Sequence, residues 1–318
     1  MTQMRPQKTL FVRTVALIAL IVTAMVFPDQ VRAQYPHIDF ANQGFSMKIR
    51  ISTVGSIGHV ACPPFNPSPG GCAVDSLGLE YPVGQAIEHL YGGGLWIGGL
   101  LDTSALGTAP PLRLVSLTYE GWAGPYYEFF PGGTAADTFW TASKRDTLPK
   151  AGWEQYWGKY LPYSPISDQD YYCTYTDTAV GVTDHVPMRL KVVQSSYAWN
   201  DPYADAIIIF EYRIFNVGSK TIDSVYTGYF FEADVGPIRV NEFYTRNFTA
   251  YIRDSRTAYV HNPVDNGSTP VGAALLRTSK PLDSLRYAFQ WFRGPNTPEG
   301  DANKYAMMSS GDIKPDEF

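Results

Sequence analysis

Residues 206–236 read AIIIFEYRIFNVGSKTIDSVYTGYFFEADVG, and this stretch decides the fold class. Ile208, Phe210, Tyr212 and Ile214 alternate with Ile207, Ile209, Glu211 and Arg213, so one face is apolar while the other turns polar toward its far end. That is the period-2 pattern of a half-buried strand. Asn216, Val217, Gly218 and Ser219 supply turn residues, and 222–231 returns with Val225, Tyr226, Tyr229, Phe230 and Phe231. The expectation is an antiparallel hairpin.

Working outward, further strand candidates lie at 46–54, 95–101, 112–119, 190–197, 257–261, 271–276 and 286–292, separated by clusters of Gly, Pro, Asn and Asp. Many short strands with turn punctuation predict an all-β protein. The specific expectation is an antiparallel β-sandwich, either one large unit or two packed units, with long loops rich in aromatics, Gly and Pro. Helix is hard to place. The best candidate, 85–91, is short and stops at Gly92-Gly93-Gly94, and 153–160 offers one turn or an aromatic loop. Residues 34–180 read as a β and loop-rich region, with 103–177 the most irregular part, and 181–318 as a second β-sandwich region. No low-complexity linker marks a boundary near 180, so two sheets sharing one core fit equally well.

Composition agrees with a packed β-protein. A disordered chain would carry more charge than 17% and fewer aromatics than 14%, and 28 Gly with 24 Pro exclude a coiled coil or helical repeat. The net charge of −5 offers no cationic cluster to neutralise phosphates, which argues against a nucleic-acid partner. Residues 1–33 read as a secretory signal peptide. Arg5, Lys8 and Arg13 make a basic start, 15–27 a short apolar stretch, and Val31-Arg32-Ala33 a cleavage site before Gln34. The apolar stretch is shorter than the roughly 20 residues of a membrane span and Pro28 closes it, so the mature chain is expected to be secreted or at the outer cell surface with no transmembrane span. Cleavage takes away four cations (Arg5, Lys8, Arg13, Arg32) and one anion (Asp29), leaving a more acidic mature chain.

An oxidising compartment allows a disulfide. Cys62 and Cys72 flank a loop containing Pro63, Pro64, Pro67, Pro69, Gly70 and Gly71, which gains most from being closed, while Cys173 is left as a buried free thiol among tyrosines. Gly92-Gly93-Gly94-Leu95-Trp96-Ile97-Gly98-Gly99 resembles a phosphate loop only superficially, because it lacks the Lys-Ser/Thr that touches phosphate and metal. A Gly-kinked strand accounts for it better.

Two groups of residues are candidates for a ligand site. Trp122, Tyr126, Tyr127, Trp153 and Trp157 lie in an aromatic-rich region and can stack on the flat C–H faces of sugar rings, although packing in the core or under loops explains the same rings more simply. Asp168 and Asp170, and separately Glu232 and Asp234, place two carboxylates on one side of extended chain, as calcium requires, but neither run matches the twelve-residue calcium loop and solvated carboxylates are the plainer reading. No other cofactor is expected. The five histidines lack metal-ligand spacing, Gly-x-Ser-x-Gly is absent, and no catalytic residue can be assigned. Asn247-Phe248-Thr249 and Asn266-Gly267-Ser268 fit the glycosylation sequon.

Ser195-Ser196-Tyr197-Ala198-Trp199, Phe210-Glu211-Tyr212-Arg213-Ile214-Phe215-Asn216, Glu232-Ala233-Asp234-Val235-Gly236 and Ala258-Tyr259-Val260-His261-Asn262-Pro263 together resemble a series found in uncharacterised secreted β-rich bacterial surface proteins, cargo of the type IX secretion route. Such proteins carry fibronectin-like modules and a C-terminal sorting domain. The chain departs from them after Gly236, where paired aspartates are missing, and it carries no sorting domain, an end that a fragment of a longer protein would explain. The resemblance implies export and a place at the cell surface. The resulting expectation is a non-catalytic β-sandwich with a structural, adhesive or glycan-binding role, its partner an extracellular polysaccharide or protein. The alternative is an extracellular carbohydrate-active enzyme, similar to a glycoside hydrolase, using paired carboxylates.

Overall fold

The computed structural model describes residues 37–40, 46–58, 77–102, 110–121, 127–131, 139–143, 158–160, 165–178, 185–265, 268–293 and 296–316. Residues 1–33, read above as a signal peptide, lie outside them. The chain separates into two compact units, Met1–Gln34 and Tyr35–Phe318, and every element below belongs to the second. The strands are β1 (His37–Phe40), β2 (Lys48–Ser52), β3 (Ile57–Gly58), β4 (Leu79–Glu80), β5 (Ile87–Glu88), β6 (Gly92–Leu101), β7 (Leu112–Leu117), β8 (Phe139–Ser143) and β9 (Gly158–Tyr160). They continue with β10 (Gln169–Thr176), β11 (Leu190–Ala198), β12 (Ile208–Asn216), β13 (Ile222–Glu232), β14 (Gly236–Pro237), β15 (Phe248–Ile252), β16 (Thr257–His261) and β17 (Val271–Ala274). One helix, α1 (Gly300–Ser309), follows. Among the described residues no helix is long and apolar enough to cross a membrane.

The strands form an all-β, predominantly antiparallel, sandwich-like fold. A nine-stranded sheet runs β13-β6-β3-β2-β4-β5-β14, with β1 beside β2 and β7 beside β6; a five-stranded sheet runs β12-β11-β10-β8-β9; and β15-β16-β17 make a small meander. Among the described strands β8–β9 is the one parallel pair. Ile51, Leu95 and Ile97 from the first sheet share one buried cluster with Tyr171, Tyr175 and Val192 from the second, which defines the core between them. Both sheets take strands from either side of residue 180.

The hairpin expected over 206–236 does not form. β12 pairs with β11, from Leu190↔Asn216 to Ala198↔Ile208, whereas β13 pairs with β6, from Ile222↔Leu101 to Glu232↔Gly92. The intervening turn is an arch that carries the chain from one sheet to the other. It is held by the Val217 N–H donating to Arg189 O at 2.9 Å and by Asn216, whose Oδ1 accepts the Gly218 N–H at 2.9 Å while its amide donates to Lys220 O at 2.8 Å. Alternation within a strand states that one face is buried; it does not state whether the returning strand lies beside it or across the core from it. Here it lies across, and the Tyr212 hydroxyl donates to that of Tyr229 at 3.4 Å.

β6 explains its own glycines. It is covered on both faces and paired along both edges, by β13 on one side and by β3 and then β7 on the other. A Cβ at Gly94 would overlap the Thr118 hydroxyl, and one at Gly99 would overlap Ile222 Cγ2. The segment is a central strand with close neighbours rather than a phosphate cradle.

α1 packs on the outer face of the nine-stranded sheet, where Trp96, Val115, Leu117 and Tyr305 form a second buried cluster. Its Tyr305 hydroxyl donates to Ser224 O at 3.0 Å, and Lys304, almost fully buried, pairs with Glu120 and sits 5.8 Å from the Trp96 ring centroid. Sequence alternation missed this helix because only Tyr305, Met307 and Met308 bring large apolar side chains to the sheet, too few to mark an apolar stripe. Two other expectations fail. Residues 85–91 are not helical, since Ala86 has φ 54° and the Glu88 carboxylate captures the N–H groups of Gly78, Leu79, His89 and Leu90. Residues 286–292 form no strand; Phe289 makes a single bridge to Ile313.

Candidate functional site: carboxyls and tyrosines on an open cavity

β13 ends at Glu232 and the chain continues through Ala233, Asp234 and Val235. Ala233 and Val235 pack on the core, which turns Glu232 and Asp234 to the other side. The Glu232↔Gly92 pairing brings Tyr91 beside them, its N–H donating to Glu232 O at 3.0 Å. From the end of β7, the Tyr119 hydroxyl donates to Glu232 Oε2. Two carboxyls and two phenols thus meet where the β6–β13 ladder ends.

Burial governs the proton affinities of this group. It raises Glu232 above the ordinary carboxyl range, against the lowering effect of the Tyr119 hydrogen bond. Asp234 is pushed up to about 7, first by burial and then by the negative charges of Glu232 and Glu88. Tyr119 lies well above the usual phenol range through burial, the Glu232 charge and the hydrogen bond to it, and Tyr91 is raised by burial and by the same two carboxylates. Near neutrality Asp234 divides between protonated and ionised forms, so it can both donate and accept beside an acceptor carboxylate. Glu88 belongs to the scaffold: its oxygens accept backbone N–H groups from Gly78, Leu79, His89 and Leu90 at 2.8–3.2 Å.

The group opens on a cavity of 3650 Å³ that runs along β12 and β13 and includes Tyr91, Tyr119, Glu232 and Asp234 in its lining. That volume exceeds the roughly 300–1,000 Å³ of small-molecule pockets and suits an extended ligand. Tyr91 is 42% exposed, an accessible aromatic face next to the carboxyls. Trp96, Phe230 and Phe292 form an adjoining ring stack, with centroids 5.4 Å apart for Trp96–Phe230 and 5.7 Å for Phe230–Phe292.

Of the residues singled out by sequence, Glu232 and Asp234 are the two brought together at this site. Asp168 and Asp170 belong to the other sheet and are engaged with the protein: Asp170 accepts from the Ile166 N–H at 2.6 Å, the Ser167 N–H at 2.9 Å and the Ser167 hydroxyl, and Asp168 accepts from the Asn200 N–H at 2.9 Å. Among the described residues no three His, Cys, Asp or Glu side chains converge to hold a metal ion. Tyr127 packs edge-to-face on Phe130 at 5.4 Å and is not part of the cavity lining. Trp122, Tyr126, Trp153 and Trp157, the Cys62–Cys72 pair and the Asn266 sequon lie outside the described residues. Asn247 is held at both ends of its amide, by the Val235 N–H at 3.2 Å and by Tyr244 O at 2.9 Å. Cys173 is free and buried, and burial raises its thiol far from reactivity.

Tyr91 and Tyr119 were not legible as site residues. Tyr119 closes an apolar strand pattern and Tyr91 precedes a glycine run, so it is the β6–β13 and β6–β7 registers together that assemble them with the carboxyls. No protein-family model, curated protein or solved structure matches this chain.

Proposed function

We propose that the protein is an exported, non-catalytic β-sandwich that holds an extended polysaccharide at the Tyr91–Tyr119–Glu232–Asp234 patch, in an adhesive or structural role at the cell surface. The observation that carries this reading is the exposed Tyr91 ring beside two carboxyls on a cavity too large for a small molecule. A pyranose stacks its C–H face on such a ring while its hydroxyls pair with carboxyl oxygens, and a long open cavity accepts several sugar units in succession. Export rests on the basic start, apolar stretch and cleavage site of residues 1–33.

Binding to an array of bacterial and plant polysaccharides tests it. The chain is expected to retain at least one glycan, with Tyr91→Ala weakening the affinity about tenfold, the worth of one stacked ring. Absence of any glycan ligand, or an undiminished affinity in Tyr91→Ala, overturns it.

A second reading, a carbohydrate-active enzyme, is favoured by one feature: burial and neighbouring charges push Asp234 up to about 7, the range of a general acid, next to a second carboxyl. It predicts release of reducing ends from a bound polysaccharide, lost in Asp234→Asn with binding retained. A bound polysaccharide that stays intact over days removes it.

A further inference from the structure

Among the described residues β12 is the outer strand of the five-stranded sheet, and its outer edge differs from those of β9, β13, β14 and β15. Edge strands invite pairing with another chain and are ordinarily blunted by shortness, bulges, Pro or Lys. At the far side of the same sheet β9 has three residues, and in the larger sheet β14 has two. β13 carries a register shift between Asp223 and Tyr226, with Ser224 at φ 47° and its carbonyl bound by Tyr305. On β15, Asp316 covers the backbone by accepting the Tyr251 N–H at 3.0 Å. Among the described residues β12 shows none of these devices. It runs nine residues in unbroken register with β11 and contains neither Pro nor Lys; one face is apolar and the other is apolar apart from Glu211 and Arg213, with Phe215 47% exposed and the flanking Ile207 and Val217 at 50% and 53%.

The sequence of this edge is complementary to itself. When two copies meet antiparallel about a two-fold axis at Tyr212, Glu211 of each strand lies opposite Arg213 of the other. On the same face Ile209 meets Phe215 and Ile207 meets Val217. On the opposite face Phe210 meets Ile214, covering a stripe that is only half-buried in the single chain. Directly opposite residues in such a ladder have Cβ atoms about 4.5–5.5 Å apart, close enough for each ion pair and apolar pair to form. A shift of the axis by one residue, to Arg213, places Arg213 opposite itself and Glu211 opposite Phe215. The charges therefore select one register.

We infer that two copies of this chain associate through β12, antiparallel and centred on Tyr212, joining their five-stranded sheets into one continuous sheet. This is an isologous contact, the same surface used by both partners. It goes beyond the glycan reading and does not depend on it. Because two nine-residue strands bury less than the ~1,200 Å² of a standard interface, the dimer is transient, forming at tens of micromolar and above.

Sedimentation equilibrium of the mature chain across concentrations measures it, with a dimer expected. Glu211→Arg sets Arg opposite Arg213 twice and Arg213→Glu sets Glu opposite Glu211 twice, each loosening the dimer about tenfold or more, while the double variant restores it. The circular dichroism of each variant reports whether the sandwich is intact. Independently of stability, a mixture of Glu211→Cys and Arg213→Cys chains is expected to form an intermolecular disulfide that neither chain forms alone through these positions. A chain that stays monomeric throughout, a dimer indifferent to both reversals, or a mixture without that crosslink overturns the inference.

Discussion

Asp234→Asn should stabilise the protein at alkaline pH and leave it unchanged in acid. Asp234 has an ordinary value of 3.8 and stands at about 7 in the fold, because burial and the charges of Glu232 and Glu88 disfavour its ionised form. The folded state therefore keeps a proton that the unfolded state releases. Below the unfolded value both states are protonated and no penalty exists. As pH rises through the window from 3.8 to about 7 the penalty accumulates, and above it the penalty is complete. At about 1.4 kcal/mol per pH unit the difference is about 4 kcal/mol, and solvent screening at this part-exposed carboxyl trims it to about 2–4 kcal/mol. Asparagine has the same shape and no charge to bury. Urea unfolding followed by tryptophan fluorescence at pH 4, 6 and 8 should show the variant equal to the parent at pH 4 and more stable by that amount at pH 8. The corresponding rise in melting temperature is about 5–10 °C. Equal gains at pH 4 and pH 8, or a loss at pH 8, would refute the placement of Asp234 beside Glu232 and Glu88.

Tyr119→Phe removes the hydroxyl bound to Glu232; stability should fall by about 1–3 kcal/mol at pH 8 and by less at pH 4, where Glu232 carries a proton, as read by the same urea titrations. Gly99→Ala drives a methyl into Ile222 and should cost about 1–3 kcal/mol in thermal melts, separating a close-packed strand from a loop with room to spare. Tyr305→Ala undocks α1 from the outer face of the sheet at a cost of about 3 kcal/mol, which differential scanning calorimetry detects as a lowered transition. Cys173 should resist a thiol reagent in the native protein and react promptly in urea, as mass spectrometry of the labelled peptide would record.

What the sequence revealed was strand identity. The segment expected at 257–261 is β16 to the residue, and those at 95–101, 112–119 and 190–197 fall on β6, β7 and β11, because period-2 burial is written into each strand separately. Partner choice was not written there. The alternation of Ile208, Phe210, Tyr212 and Ile214 is the same whether β13 lies alongside or across the core, and the turn residues 216–219 serve an arch as readily as a hairpin. The site was legible to the same extent. Glu232 and Asp234 could be noticed as alternate carboxyls, but Tyr91 and Tyr119 are more than a hundred residues away and arrive through pairing register alone. Helix α1 escaped because its contact with the sheet is made by Tyr305, Met307 and Met308, with Lys304 engaged in an ion pair, too few apolar residues to leave a stripe.

The arch also connects the fold to both of its proposed interactions. In a hairpin, β12 and β13 would satisfy one another's backbone and close the side of the sandwich. As an arch, the same residues leave β12 and β13 as the outer strands of two facing sheets, with the large cavity running along them. The two edges then meet different fates. β13 is bent by its bulge, tied down by Tyr305 and terminated in the carboxyl–tyrosine patch, so it presents side-chain chemistry to a ligand. β12 stays regular and unprotected, so it presents backbone to another strand. Covering the edge of β12 in a dimer would bury more of the half-exposed Phe210 and Ile214 stripe, whereas Glu232 and Asp234 belong to the other sheet, where the β6–β13 ladder ends. Pairing uses the backbone edge of β12 and the carboxyl–tyrosine patch uses the end of β13, so substitutions at Glu211 or Arg213 should alter association without changing the titration of Asp234.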